Sequence, residues 1–222
     1  MLTIYSHPES GNSYKVRLLL SFLDLPHRLV DVDLMTDEQH QPAYLAINPR
    51  GEVPAMTDGT LTLRDSAAIL VYLASSHGAE PWYPQRPAAM AEITEWLAFA
   101  ASWVQYGVFT ARALLSFGIP ANGLPPTFQA SLDEARIRGR RSLEILDAHL
   151  EHQAWLTGAQ PTIADIANFP YVALAPMGDI SLSPYPAVEA WIARFKALPR
   201  FIPIDGLDDP GYRRRQIASG AG

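Results

Sequence analysis

Ser10, Gly11 and Asn12 stand between a short apolar run, residues 2–5, and an amphipathic stretch in which Val16, Leu19, Leu20 and Leu23 recur at helical spacing. In "PESGNSYKVRLLL" the hydroxyl and the amide therefore fall at the start of a helix. Such a start leaves about four backbone N–H groups without internal partners and carries roughly half a positive charge. Side-chain donors beside it suit an anion. The same residues serve equally as caps, and the local sequence leaves both readings open. Two further stretches have this double character. In "NPRGEVPAM", Pro54 leads a strand, either as an edge proline or through a cis Val53–Pro54 bond. The cis form turns the Val53 N–H and C=O toward an extended, peptide-like ligand. In "RDSAAIL", Asp65 and Ser66 precede a helix, where they cap it or hold both charges of an amino-acid head group.

Alternating strands and helices must position these residues. Residues 2–5 read as a strand, and "HRLVDVD", residues 27–33, as a second one. Thr36 then caps a short helix, with Gln39 reaching back to it. "EVPAMTD" and "TLTLR" form a hairpin around Gly59, and residues 66–75 a helix. The order β-α-β-α-β-β-α predicts a compact α/β domain over residues 1–78. "HGAEPWYPQRP" interrupts both neighbouring helices and reads as a linker. From residue 88 to 222 the strand period is gone, and an all-helical domain is predicted. A long aromatic-rich helix ends at "GIPANGLPP", and a second one covers residues 128–150, with Leu132, Ala135, Leu143, Leu146 and Leu150 on its apolar face. "TIADIA" has capping-box spacing between Thr162 and Asp165, with Pro170 interrupting the helix that follows. "YPAVEAWIARFKAL" supplies another helix, and Arg213 to Arg215 reads as a frayed tail.

A formal charge of -6 supplies no footprint for a polyanion, so nucleic acid is not an expected partner. The absence of cysteine excludes a disulfide framework, a thiolate metal site and a protein thiol nucleophile. No apolar run is long enough for a membrane span and no export signal is visible, so a cytoplasmic protein is expected. His149 and His152 share a helix face but lack a third ligand, and no metal is expected. His7 reads as a solvated loop residue or a base.

Taken in order, "SGNSYKVRLLL", "EQHQPAYLAINPRGEVPAM", "LRDSAAILVYLA", the "WYP" linker and "TIADIA" resemble the cytosolic glutathione transferases over nearly the whole chain. The resemblance implies a thioredoxin-like N-terminal domain that binds glutathione, an all-α C-terminal domain with an apolar cosubstrate pocket, and a homodimer. In serine-type members a hydroxyl lies five residues before the basic residue of the first helix, which selects Ser10 ahead of Lys15. Members whose loop ends in Thr-x-Asn also use the asparagine, here Asn12. By the same likeness Val53 and Pro54 belong to the cis-proline strand that pairs with the cysteinyl backbone of glutathione. Asp65 and Ser66 take the γ-glutamyl ammonium and carboxylate, and Gln39 and His40 the glycine carboxylate. Tyr5 is the rival donor to the sulfur, because other classes use a tyrosine near the end of the first strand.

A free thiol has a pKa near 8.5 and is only a few per cent ionised at neutral pH. Lowering it by two units takes about 2.7 kcal/mol, within reach of one charge-assisted hydrogen bond plus the helix dipole. The implied activity is a transferase that presents glutathione as a thiolate to small, mostly apolar electrophiles in detoxification. The alternatives are a glutathione-dependent peroxidase or disulfide reductase, a zeta-like isomerase, or a non-catalytic glutathione-binding protein of the same fold. Asn12 stands where the zeta class has cysteine, which weighs against the isomerase. Trp103, Tyr106, Phe109 and Phe117 are candidates to line the cosubstrate pocket, with Arg112 attracting an anionic group. Aromatics at helical spacing also read as core.

Overall fold

The computed structural model describes residues 1–118 and 128–219. By its internal contacts the chain divides into two units, Met1–Met90 with Pro199–Ile204, and Ala91–Leu198 with Asp205–Gly222.

The first unit is built on a mixed sheet of β1 (Thr3–Ser6), β2 (Arg28–Asp31), β3 (Ala55–Asp58) and β4 (Leu61–Leu63) in the order β2-β1-β3-β4. β1 runs parallel to β2 and antiparallel to β3, with Tyr5 opposite Val30 on one side and Ala55 on the other. The parallel pair requires a crossover, supplied by α1 (Gly11–Leu23), whose Val16, Leu19 and Leu20 are buried. β3 and β4 form the expected hairpin, with Gly59 at φ 57 in its turn. α3 (Ser66–His77) follows and packs beside α1.

The short helix expected from Thr36 is not formed as read. A 3-10 turn spans Glu38–His40 behind Asp37, and α2 is the single turn Pro42–Leu45. The Asp33 carboxylate takes the Met35 N–H at 2.8 Å, and Gln39 turns to Asp37 at 3.1 Å instead of reaching back to Thr36. Acidic side chains thus outcompete the Thr36 hydroxyl for local donors. The linker is part of this unit: Trp82, at the end of the broken turn α4 (Ala79–Trp82), stacks on Phe22 with centroids 4.9 Å apart. Residues 199–204 return to it, with the Tyr14 hydroxyl donating to the Ile202 carbonyl and Ser21 Oγ to the Arg200 carbonyl at 2.7 Å.

α5 (Pro87–Phe99), which belongs to the second unit from Ala91 onward, continues through wide helical turns at Ala100–Phe109 and Ala113–Phe117, on either side of α6 (Thr110–Arg112). Most of the stretch read as ending this helix lies outside the described residues. α7 (Phe128–Leu150) buries all five residues of its expected face. Gly107 and Gly139 let the two long helices cross closely, since a Cβ at Gly107 would lie 2.7 Å from the Gly139 nitrogen. Backbone cannot yield as a side-chain tip can. Gly107→Ala is therefore expected to cost about 2 kcal/mol by overpacking, or roughly 4–8 °C in Tm. An unchanged melting point would mean that this crossing is not so close.

α8 (Ile163–Ala173) carries the expected capping box of Thr162 and Asp165. Pro170 does not interrupt it. Every residue of α8 is buried, and this packing outweighs the one helical bond that a proline nitrogen cannot make. α9 (Pro186–Lys196) follows, and then α10 (Tyr212–Ala218) where a frayed tail was expected. Arg213 is buried over the Phe117 ring at 5.4 Å, and Arg214 meets Asp179 at 2.9 Å, so the basic run is tied down. Among the described residues no helix is long and apolar enough to cross a membrane.

Candidate functional site

The loop between β1 and α1 is fixed by its own hydrogen bonds. The Ser10 N–H donates to the His7 carbonyl at 3.1 Å, and the Ser10 carbonyl accepts the Tyr14 N–H at 2.8 Å. Arg17 grips the loop from α1, with Nη2 donating to the Pro8 carbonyl at 2.6 Å and Nη1 to the His7 carbonyl at 3.3 Å. Ser10 is the N-cap, its Oγ accepting the Ser13 N–H at 3.2 Å. That bond uses a lone pair only. Among the described residues the Ser10 hydroxyl proton has no acceptor, so the residue caps the helix and still has a donor to offer.

His7 is half-buried, with Nδ1 3.1 Å from the Val32 carbonyl and Nε2 3.9 Å from a Glu9 carboxylate oxygen. Glu9, foremost, and the Val32 carbonyl raise its pKa against the opposing effect of burial. Both ring nitrogens are turned to the loop's own scaffold. Asn12 is partly exposed and accepts through Oδ1 a 2.8 Å bond from Lys15 Nζ. Lys15 is only 4% exposed. Burial lowers its pKa to about 8, with the Asp65 carboxylate acting in the opposite direction.

Asp65 caps α3 by taking the N–H groups of Ala67 at 2.8 Å and Ala68 at 3.1 Å on Oδ1 alone. The neighbouring Ser66 hydroxyl has no partner among the described residues. The Val53–Pro54 bond is cis, and Val53 precedes the first paired residue of β3, Ala55. Its side chain is buried with Val32 and Tyr44, with Tyr5 packed against them. The Tyr44 hydroxyl and Asn48 Nδ2 both donate to the Glu52 carbonyl, at 2.7 and 2.6 Å, and hold the residues leading into Val53. Along β1 the side chains alternate. Ser6 meets Arg17 of α1 at 3.4 Å, so Tyr5 faces the other side of the sheet, edge-on to Tyr44 of α2 at 6.2 Å.

Gln39 and His40 are gathered on Asp37, whose Oδ1 lies 2.6 Å from His40 Nδ1 and 3.1 Å from Gln39 Nε2. The His40 ring rests on Gly51, where a Cβ would come within 2.4 Å of its Cδ2. Gly51 also has φ +64, so two constraints require glycine ahead of the cis-proline strand. Asp37, Arg17, Asn48 and the burial of Lys15 were not singled out in the sequence. Arg17 had a visible signal, since Lys15 and Arg17 are the two charged residues of the helix.

In the second unit, Trp103 is 44% and Tyr106 53% exposed, with the Trp103 ring stacked on Phe99 at 6.3 Å. Phe109 is half-buried against Tyr171 at 4.8 Å. Arg112 is buried, with Nε 3.2 Å from the Met177 sulfur and its guanidinium 4.7 Å from the Phe117 centroid. His149 lies 3.0 Å from the Leu156 carbonyl and against the Trp96 ring. Among the described residues no group of three or more His, Cys, Asp or Glu side chains is placed to hold a metal ion.

Comparison with known proteins adds a family. Residues 4–81 match the family model described as glutathione S-transferase, N-terminal domain, and residues 108–199 that described as glutathione S-transferase, C-terminal domain. The chain is 30% identical over 207 residues to the disulfide-bond oxidoreductase YfcG of Escherichia coli, covering 90% of this chain and 92% of that one. A crystal structure of a glutathione S-transferase from Pseudomonas fluorescens superposes with a TM-score of 0.83 at 30% identity, over 91% of this chain and 98% of that one. A glutathione transferase from Burkholderia graminis, crystallised with two glutathione molecules per subunit, superposes at 0.76 with 30% identity, covering 94% and 88%.

Proposed function

The chain belongs to the glutathione S-transferase family, and we propose that it binds glutathione in its first unit and presents the sulfur, as a thiolate, to small electrophiles. The observation that carries this reading is the start of α1. There the Ser10 hydroxyl proton and the Asn12 amide stand at the positive end of a helix, in a loop fixed by Arg17. A thiolate placed there gains a charge-assisted hydrogen bond and the dipole, while a neutral thiol gains little from either. Differential stabilisation of the anion is what lowers the pKa, and no side-chain base is needed.

The remaining assignments follow the same polarity. The Val53 backbone pairs with the cysteinyl residue of glutathione at the cis-Pro54 segment. Asp65, with Oδ1 committed to the cap, turns its other oxygen to the γ-glutamyl ammonium, and Ser66 with the α3 N-terminus takes the carboxylate. Gln39 and His40 take the glycine carboxylate. The exposed Trp103 and Tyr106 contact the cosubstrate, with Phe109 lining the same pocket and Arg112 attracting an anionic group. A cytoplasmic homodimer that needs no metal completes the reading.

The similarity to YfcG supports a second reading, the reduction of disulfides. The bound thiolate attacks one sulfur of a disulfide, forming a mixed disulfide and expelling the other sulfur as a thiolate. A second glutathione thiolate then attacks the glutathione sulfur of that mixed disulfide, giving oxidised glutathione and the second reduced thiol. With no cysteine in the chain, both electrons come from glutathione.

The test is the ultraviolet absorbance of the thiolate across pH. Bound glutathione is expected to titrate roughly two units below the free thiol value near 8.5. Glutathione that binds with an unshifted thiol would defeat both readings. Turnover with an aryl halide against turnover with a mixed disulfide separates one from the other.

A further inference from the structure

We propose that Lys15 is a positioning residue that sets the amide of Asn12 as a hydrogen-bond donor toward the bound sulfur. The inference rests on the glutathione reading above. An amide side chain has two ends, one accepting and one donating, and rotation by half a turn exchanges them. An ammonium group has donors only, so the Asn12 atom 2.8 Å from Lys15 Nζ must be the oxygen. The amide nitrogen is thereby turned away from the lysine, and among the described residues it has no hydrogen-bond partner.

The lysine is held firmly enough to do this. It lies within α1, three residues beyond Asn12, and is 4% exposed, so it cannot swing into water as a surface lysine does. The Asp65 carboxylate at the start of α3 favours its charged form. A buried cation is costly unless polar groups meet it, and Asn12 Oδ1 is one that does. The same contact that stabilises the lysine therefore fixes the polarity of the amide. Without it the amide is free to flip, and an oxygen facing the sulfur would oppose the thiolate.

The experiment measures the thiol pKa of bound glutathione, by thiolate absorbance, in the wild type, Lys15→Met, Lys15→Arg, Asn12→Ala and the Lys15→Met/Asn12→Ala double variant. Lys15→Met is expected to raise the pKa by about one unit, a tenfold loss of thiolate below it. Lys15→Arg keeps a donor on the oxygen and is expected to restore most of the wild-type value. In the Asn12→Ala background Lys15→Met is expected to add little, because its effect runs through the missing amide. Shifts that simply add would overturn the proposal, for they would show a charge acting directly on the sulfur. If Lys15→Met does not fold, Lys15→Ala, which likewise leaves no donor on the Asn12 oxygen, takes its place in the cycle with the same outcomes. A depressed wild-type pKa left unmoved by the Lys15 variants defeats this proposal alone, whereas a wild-type value at that of free glutathione defeats the glutathione reading itself.

Discussion

Ser10→Ala is expected to raise the thiol pKa of bound glutathione by roughly 1–2 units, from about 6.5, and turnover at pH 7 is expected to fall roughly three- to twenty-fivefold with the thiolate fraction. One hydrogen bond to a charged acceptor contributes about 1.5–3 kcal/mol, and each pKa unit corresponds to about 1.36 kcal/mol. The substitution also removes the α1 cap, since Ser10 Oγ accepts the Ser13 N–H, at a cost of about 1 kcal/mol in stability. Two companions separate these effects. Ser10→Thr keeps both the lone pair and the proton, and both properties are expected to survive. Ser10→Asp caps the helix as well as serine does but sets a carboxylate beside the sulfur, so stability is retained while the thiolate is lost. Tyr5→Phe is expected to change little, because Tyr5 packs on the Tyr44 side of the sheet, away from the face where Ser6 meets Arg17. If Ser10→Ala leaves the pKa in place while Tyr5→Phe raises it, the catalytic assignment is wrong.

Asp165→Ala is expected to cost about 4 kcal/mol and to lower Tm by 10 °C or so. The carboxylate is fully buried and accepts the Leu156 N–H at 3.0 Å, the Trp191 indole N–H at 2.9 Å and the Thr162 N–H at 2.9 Å. Removing it strands three buried donors from separate parts of the second unit, each of which costs about 1–3 kcal/mol unpaired. Trp191 fluorescence reports the change directly. Burial pushes the Asp165 carboxyl up to about 6, against the hydrogen bonds from Leu156, Thr162 and Trp191 that pull it down. A raised folded-state value means that the proton is held more tightly in the folded protein. This group's contribution is therefore fully present below about pH 4 and declines as pH rises through about 6. Asp165→Asn cannot titrate and is expected to remove that slope, while still destabilising because its amide NH2 must face donors. A melting point within two degrees of wild type for Asp165→Ala would contradict the network.

Much of the site was legible because its residues act on their nearest neighbours. Ser10, Asp65 and Thr162 each hold a helix start, and each was readable from hydroxyl or carboxylate spacing alone. At Ser10 the cap occupies the oxygen and leaves the proton, so only the geometry shows that capping is compatible with a donor role. Lys15 was readable as a cation but not as a buried one. Its burial depends on packing around α1, and Asp65, the carboxylate that favours its charge, comes from a different helix. The misread segments share a cause. Thr36 lost its donors to Asp33 and Asp37, Pro170 was carried by a helix buried on every side, and Arg213 found Phe117.

By itself the sequence determined the order of strands and helices, the capped starts of α1, α3 and α8, and the family to which the chain belongs. Hydrophobic period and capping are short-range properties, written within a few residues of where they act. Only the tertiary structure decided which cation is buried beneath Asn12, which face of the sheet Tyr5 takes, and that residues 199–204 return to the first unit. Desolvation and long-range contact depend on atoms far apart in the chain, and no local pattern encodes how they meet.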